Sequence, residues 1–155
     1  MNRVLKQSGW VLLLWMTACI VSAAVPDWNE QQITWYDYES GLLEANENGK
    51  PVVLIFYADW CPTCHAYKNI FNKPKIIALA KQLVMIRVNI DDSPELSKRY
   101  NLDGDYVPRT FVVNADGEVD KGFARGARYR HFIRARDVAG FEQLLSNAIA
   151  KRHAE

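Results

Sequence analysis

The apolar residues of the chain fall into continuous runs and periodic runs. Residues 52–57 and 83–90 are predominantly apolar without regular alternation, which predicts two strands covered on both faces. Residues 33–36 have the character of a short first strand. The last apolar positions instead recur at helical spacing and predict a closing helix with one buried face: Val138, Phe141, Leu144, Leu145, Ala148 and Ile149.

Residues that begin and end helices divide the chain between these runs. Gly49 follows Asn48 as a helix-ending signal, and Pro62 and Pro94 stand at first-turn positions. Residues 110–113 and 118–121 predict a hairpin around an Asn-Ala-Asp-Gly turn. The order βα, βα, βα, ββ, α predicts an α/β fold of three layers, a central mixed β-sheet with helices on both faces.

The first residues predict a secretory signal peptide. A short basic segment precedes 12 mainly apolar residues, 10–21, a stretch too short for a comfortable membrane span, and small residues follow it. We therefore assign residues 1–23 to a signal peptide, 24–32 to a linker and 33–150 to one folded domain. A chain of 155 residues has room for that arrangement.

Cys19 leaves the fate of this leader open. The segment Met16-Thr17-Ala18-Cys19 is similar to a bacterial lipoprotein box, with Met in place of the usual Leu, so a lipid on Cys19 would anchor the domain to a membrane. A freely soluble product and an uncleaved anchor are the alternatives. Each route places the domain in the periplasm or otherwise outside the cytoplasm, where disulfide chemistry is expected.

Two cysteines stand where the first long strand meets the next helix. Cys61 and Cys64 follow the apolar run directly, with Pro62 between them. A helix N-terminus carries unpaired N–H groups and a partial positive charge, which favours a thiolate over a thiol. A thiolate attacks disulfides, so we expect Cys61 to attack and Cys64 to release the partner by closing on Cys61.

The motifs around this pair resemble those of the thioredoxin-fold family. The matching segments are Tyr-Ala-Asp-Trp-Cys-Pro-Thr-Cys at 57–64, Val-Asn-Ile-Asp at 88–91 and Val-Pro-Arg-Thr-Phe at 107–111. The first is similar to the C-terminal domain of DsbD-type periplasmic proteins, and residues 104–109 are similar to endoplasmic-reticulum thioredoxin-domain and anterior-gradient proteins. The resemblance covers residues 33–150 and implies a thioredoxin-like fold.

The resemblance also implies how a substrate would be held. Pro108 matches the family's cis-proline beside the cysteines, which would leave backbone groups near Val107 free to pair with a bound peptide. The alternative is an ordinary proline at a strand entry. Trp60 and Tyr106 would line the contact surface, although Trp60 could instead serve packing alone.

One position departs from the family. Thioredoxins usually carry a buried Asp six positions before the first cysteine, and Ile55 stands there in this chain. Deprotonation of Cys64 is therefore expected to pass through water or an exposed group, of which Asp59 is the nearest in sequence. His65 lies one helical turn after Cys61, where it could tune that thiol or remain a solvated helix residue.

Other cysteine chemistries have weaker support. Cys61 to His65 also matches the C-x-x-C-H signature of covalent haem, for which His131, His153 and Met85 are the axial candidates in the mature chain. Zinc would need four ligands, and one pair of cysteines supplies two. The thiol reading needs no metal and no organic cofactor, because the cysteine pair itself carries the electrons.

Residues 121–136 form a basic segment without an acidic residue. It contains Lys121, Arg125, Arg128, Arg130, Arg134 and Arg136. Such a run predicts a solvated loop, or a surface that docks on an acidic partner or on anionic lipid headgroups, and Tyr129 and Phe132 could pin it to the domain. The formal net charge of the whole chain is only +1, so no nucleic-acid partner is expected.

These observations predict an exported thiol–disulfide oxidoreductase that acts on protein thiols and disulfides. Reductase, oxidase and isomerase directions all stay open, and a membrane electron donor is a candidate partner. The alternative from a different class is a protein-binding or chaperone module with incidental redox activity.

Overall fold

The computed structural model describes residues 28–125 and 128–154. The predicted signal peptide, including Cys19, and residues 24–27 of the predicted linker lie outside the described residues. In the described ranges, no helix has the length and apolar character needed to cross a membrane.

Four strands form one mixed sheet. They are β1 (Trp35–Tyr36), β2 (Val52–Tyr57), β3 (Val84–Asn89) and β4 (Arg109–Val113), in the spatial order β1-β3-β2-β4. β3 runs parallel to β1 and β2, while β4 runs antiparallel to β2. Residues 52–56 of β2 are buried, as the unbroken apolar run predicted.

Five α-helices surround the sheet. They are α1 (Tyr38–Asn48), α2 (Pro62–Lys68), α3 (Pro74–Ala80), α4 (Pro94–Arg99) and α5 (Val138–Arg152), with 3-10 turns at Asn69–Asn72 and Lys121–Phe123. α2, α3 and α4 each begin with proline, whose fixed φ suits the first turn and whose missing N–H is not needed there. Gly49 ends α1 at φ 67°, a left-handed conformation that favours glycine.

The sheet separates two hydrophobic cores. Val53 and Ile55 of β2 pack with α2, α3 and α5 on one face, whereas Leu54 and Phe56 pack with α1 and Tyr100 on the other. Alternate residues of one strand thus serve opposite layers. The predicted α/β three-layer fold is confirmed.

Two expectations need correction. Part of the predicted linker 24–32 packs on the domain, because Trp28 is 3% exposed and Asn29 donates a hydrogen bond to the carbonyl of Phe71 at 2.9 Å. The predicted hairpin has a reduced second arm, the single bridge from Val119 to Val113. Asp120 accepts the N–H of Gly122 and starts a 3-10 turn there, which ends the extended conformation.

Candidate active site at the end of strand β2

Cys61 and Cys64 stand at the junction of β2 and α2 as free thiols. Cys61 is the N-cap residue of α2, and its Sγ accepts the backbone N–H of Cys64 at 3.2 Å. Cys61 is 5% exposed and Cys64 is fully buried. The same N–H also donates to the carbonyl oxygen of Cys61 at 3.0 Å, so the Cys61 sulfur lies at the N-terminal end of α2 and shares a backbone donor of its first turn.

The segment before β4 completes the site. The peptide bond between Val107 and Pro108 is cis, as the family resemblance implied. The Cys61 thiol donates to the carbonyl oxygen of Val107 over 3.6 Å, and Val107 and Ile90 pack against the two cysteines. The structure therefore joins Cys61 to Val107 and Pro108, which are 46 and 47 residues away in sequence.

The second cysteine is in a very different electrostatic environment. Burial raises the pKa of the Cys64 thiol to about 12, and its hydrogen bond with Cys61 acts in the same direction. A hydrogen bond with the backbone at Ala58 and the charge of Lys68 lower that pKa only in part. In the reduced state, Cys64 is held as a protonated thiol at neutral pH.

Comparison with known sequences identifies the family. Residues 34–115, more than half of the chain, match the sequence model of the Thioredoxin-like family. The chain belongs to the thioredoxin-like family. The resemblance drawn from the cysteine and proline motifs is thereby confirmed.

Individual relatives agree with this assignment. The human anterior gradient protein 2 homolog is 31% identical over 121 residues, which cover 77% of this chain and 66% of that protein. The chain spans about half to two-thirds of the length of the curated relatives it matches.

Two solved structures match at similar levels. The disulphide isomerase from Xylella fastidiosa Temecula1 is 28% identical with a TM-score of 0.53, covering 70% of this chain and 86% of that one. The reduced DsbD C-terminal domain of Neisseria meningitidis is 26% identical with a TM-score of 0.50, covering 70% and 90% respectively.

In this thioredoxin-like chain, Trp60 and Asp59 are exposed just before Cys61, and His65 is half-buried on α2 just after Cys64. Trp60 is 65% exposed, and its indole N–H donates to Asp91 at 2.8 Å. The Asp59 carboxylate accepts from Asn89 at 3.0 Å and is exposed, as expected. The His65 Nε2 lies 2.6 Å from the carbonyl oxygen of Asp59. Their roles toward the thiols and the substrate stay predictions.

Tyr106 takes part in a hydrogen-bond network within the domain. Its hydroxyl donates to the Asp103 carboxylate, with both oxygens at 2.9 Å, and accepts the backbone N–H of His131 at 3.1 Å. The ring contacts Tyr129 with centroids 4.9 Å apart. The predicted substrate contact would therefore use the ring of Tyr106, since its hydroxyl is engaged.

Residues 129–132 of the basic segment 121–136 take part in this network or contact it. Tyr129 and Phe132 contact Tyr106, and the carbonyl oxygen of His131 accepts the N–H of Thr110 at 2.7 Å, on β4. The expected pinning by the two rings is present. The six basic side chains are exposed, and Arg125 is also 3.7 Å from Asp137. Docking on an acidic partner or on lipid stays a prediction.

The candidate haem ligands are dispersed through the fold. Met85 is buried in β3, His131 is buried with its ring centroid 4.2 Å from that of Phe111, and His153 follows the end of α5. In the part of the chain that the structure describes, no three His, Cys, Asp or Glu side chains come together as a metal site.

Sequence reasoning missed a buried lysine at this site. Lys68 is the last residue of α2, and only 9% of its side chain is exposed. The sequence could have indicated that Lys68 lies near Cys64, because residues four apart share a helix face. The aromatic residues that enclose it come from distant parts of the chain.

Proposed function

We propose that this protein is an exported thiol–disulfide oxidoreductase that exchanges disulfides with protein substrates through Cys61 and Cys64. The observation that carries the proposal is the position of the Cys61 Sγ. It accepts the Cys64 N–H at the start of α2 and lies 3.6 Å from the carbonyl of Val107, next to the cis peptide bond. One sulfur is thus prepared for attack beside a backbone segment that can hold a peptide.

The reaction is written here in the reducing direction. The Cys61 thiolate attacks one sulfur of a substrate disulfide, a Cys61–substrate disulfide forms, and the other substrate sulfur leaves as a thiolate that takes up a proton. Cys64 then loses its proton and attacks the Cys61 sulfur. The Cys61–Cys64 disulfide forms, and the second substrate sulfur leaves with its electron pair. The substrate gains two electrons, and the cysteine pair loses two.

An external dithiol, or a membrane electron donor, would reduce the Cys61–Cys64 disulfide to two thiols again. The reverse sequence, started from the oxidised pair, would make the protein an oxidase. The solved disulphide isomerase from Xylella fastidiosa supports the reaction class. The leader pattern supports export, and lipid attachment at Cys19 remains one of its outcomes.

Insulin reduction tests the proposal. The full chain carrying Cys19→Ser, supplied with dithiothreitol, is expected to precipitate the insulin B chain well ahead of dithiothreitol alone. Cys61→Ser in the same background should lose this acceleration, because the attacking sulfur is gone. An unchanged turbidity time course with the native cysteine pair would contradict the proposal.

A separate measurement tests the alternative that the protein is a protein-binding or chaperone module. If the protein serves as a binding module, the double variant Cys61→Ser/Cys64→Ser should still suppress aggregation of an unfolded protein such as reduced lysozyme. We expect no such protection at equimolar ratio, since the proposed contact with substrate includes a covalent bond to Cys61. Protection equal to that of the native pair would favour the holding role.

A further inference from the structure

Lys68 is buried where lysine is seldom found. The side chain is 9% exposed although it stands at the end of a short helix, close to solvent. A lysine is almost never buried unless its charge is compensated, because desolvating an ammonium group is costly. The position therefore calls for a physical reason.

Aromatic rings and one carboxylate surround the ammonium group. Its Nζ lies 5.4 Å from the centroid of Trp28 and 5.8 Å from that of Tyr57, distances at which a cation is attracted to a ring face. The Asp59 carboxylate is 4.0 Å away, but that side chain is 70% exposed. Water weakens such a pair, so Asp59 compensates the charge only in part.

Cys64 is the buried group that gains from this charge. Lys68 follows it by four residues on α2, which places both on one helix face, and Tyr57 packs against both. Burial raises the pKa of Cys64, and the charge of Lys68 opposes that rise. The other titratable groups that interact with Cys64 are Cys61 and Tyr67, whose hydroxyl is bonded to Thr110 at 2.8 Å.

Ile55 sharpens the argument. It is fully buried on the strand before the site, where the family resemblance expects an aspartate. An apolar side chain can neither accept a proton from Cys64 nor compensate a cation. A nearby cation would instead stabilise the thiolate that remains when Cys64 loses its proton, and this also favours deprotonation.

We propose that Lys68 is a positioning residue for the second step, in which its ammonium group, enclosed by Trp28 and Tyr57, stabilises the Cys64 thiolate that resolves the mixed disulfide. This inference rests on the proposed function and specifies one step of it. The Cys64 proton leaves through water or Asp59, and the resulting thiolate attacks the Cys61 sulfur. Lys68 takes no part in the transfer of the proton or of the electrons.

The test separates the two steps of one turnover. Full-length protein with Cys19→Ser is reduced, mixed with a peptide disulfide, quenched with acid and analysed by intact mass. Lys68→Met keeps the apolar stem and removes the charge. We expect an unchanged rate of mixed-disulfide formation and an about tenfold slower resolution, equivalent to about one pH unit. The variant at a pH one unit higher should then resolve the mixed disulfide as fast as the unsubstituted chain does at the original pH.

Two substitutions serve as controls. Lys73→Met removes an exposed lysine five residues further along the chain, at the N-cap of α3, and should leave both rates unchanged. Lys68→Arg keeps the charge and should restore most of the resolution rate, which a purely structural role would not predict.

Each outcome either supports or overturns the role of Lys68 in resolution. Equal resolution rates with and without the Lys68 charge, while the native pair turns over, overturn the role of Lys68 and leave the proposed function intact. If the unsubstituted chain forms no mixed disulfide, the proposed function fails and this inference fails with it. If Lys68→Met does not fold, Lys68→Gln takes its place, and failure of both to fold assigns the residue to the fold and overturns the proposal.

Discussion

The two sides of the cysteine pair are built from different interactions. The amino-terminal flank, defined as Trp28, Trp35, Tyr57 and Phe71, is held by ring-to-ring contacts with centroids 4.8 to 5.4 Å apart. The carboxyl-terminal flank, defined as Asp103, Tyr106, Tyr129 and His131, is joined by hydrogen bonds to the Tyr106 hydroxyl and by one ring contact.

Each flank brings a different polar group toward the cysteine pair. The amino-terminal flank includes Tyr57, which packs on the cysteines, and it encloses Lys68, one helical turn from Cys64. The carboxyl-terminal flank adjoins Val107, whose carbonyl meets Cys61. The aromatic side thus holds the cation that we propose acts on Cys64, and the hydrogen-bonded side adjoins the backbone carbonyl that contacts Cys61.

The largest effect is expected in the amino-terminal flank. Trp28→Ala removes a side chain that contacts three other rings in the core, so it should lower the free energy of unfolding by about 3–5 kcal/mol. Chemical denaturation measures this loss. Trp60→Ala is the matched control, because Trp60 is 65% exposed, and its cost should be about 1 kcal/mol or less. Equal losses for the two tryptophans would show that Trp28 does not hold this flank together.

A smaller effect is expected in the carboxyl-terminal flank. Tyr106→Phe keeps the ring but leaves the His131 N–H and the Asp103 carboxylate without the phenol, so the free energy of unfolding should fall by about 1–2 kcal/mol. Tyr129→Phe keeps its ring contact with Tyr106 and should cost about 0.5 kcal/mol or less. A larger loss for Tyr129→Phe than for Tyr106→Phe would contradict a network centred on Tyr106.

The smallest effect is a pH dependence confined to the same flank. Burial lowers the pKa of His131, the charges of Arg130 and Arg109 act in the same direction, and Asp103 opposes them. The unfolded chain therefore binds a proton more readily than the folded one. This contribution to stability is complete above the ordinary pKa of 6.5 and is lost as the pH falls from there toward the folded value.

His131→Gln isolates this contribution, because glutamine does not titrate. The difference in unfolding free energy between mildly alkaline and mildly acidic solution should shrink in the variant. A difference of the same size in both proteins would assign the acid sensitivity to other groups.

The sequence was informative wherever a local signal decided the structure. The apolar run of β2, the prolines that begin α2 and α4, and the Cys61–Cys64 spacing depend on neighbours within a few residues. The cis bond at Pro108 followed from the family resemblance. Apart from that bond, these features were predictable because their causes lie close together in the chain.

The parts that were missed depend on distant contacts. Trp28 reads as a linker residue until Phe71 and Tyr57 are folded against it. Lys68 reads as a solvated helix end for the same reason. The second arm of the hairpin was overestimated, because a turn at Asp120 competes with strand pairing through its own side chain.

Covalent trapping tests the central claim most directly. In full-length Cys19→Ser/Cys64→Ser, Cys61 can attack a substrate disulfide, but no second thiol can release the product. After incubation with insulin, the account predicts a stable adduct whose mass equals the protein plus one whole insulin molecule, since the two insulin chains stay joined by a second interchain disulfide, with peptide mapping that locates the new disulfide at Cys61. Absence of the adduct in a folded protein, or its attachment at any other residue, would contradict the account.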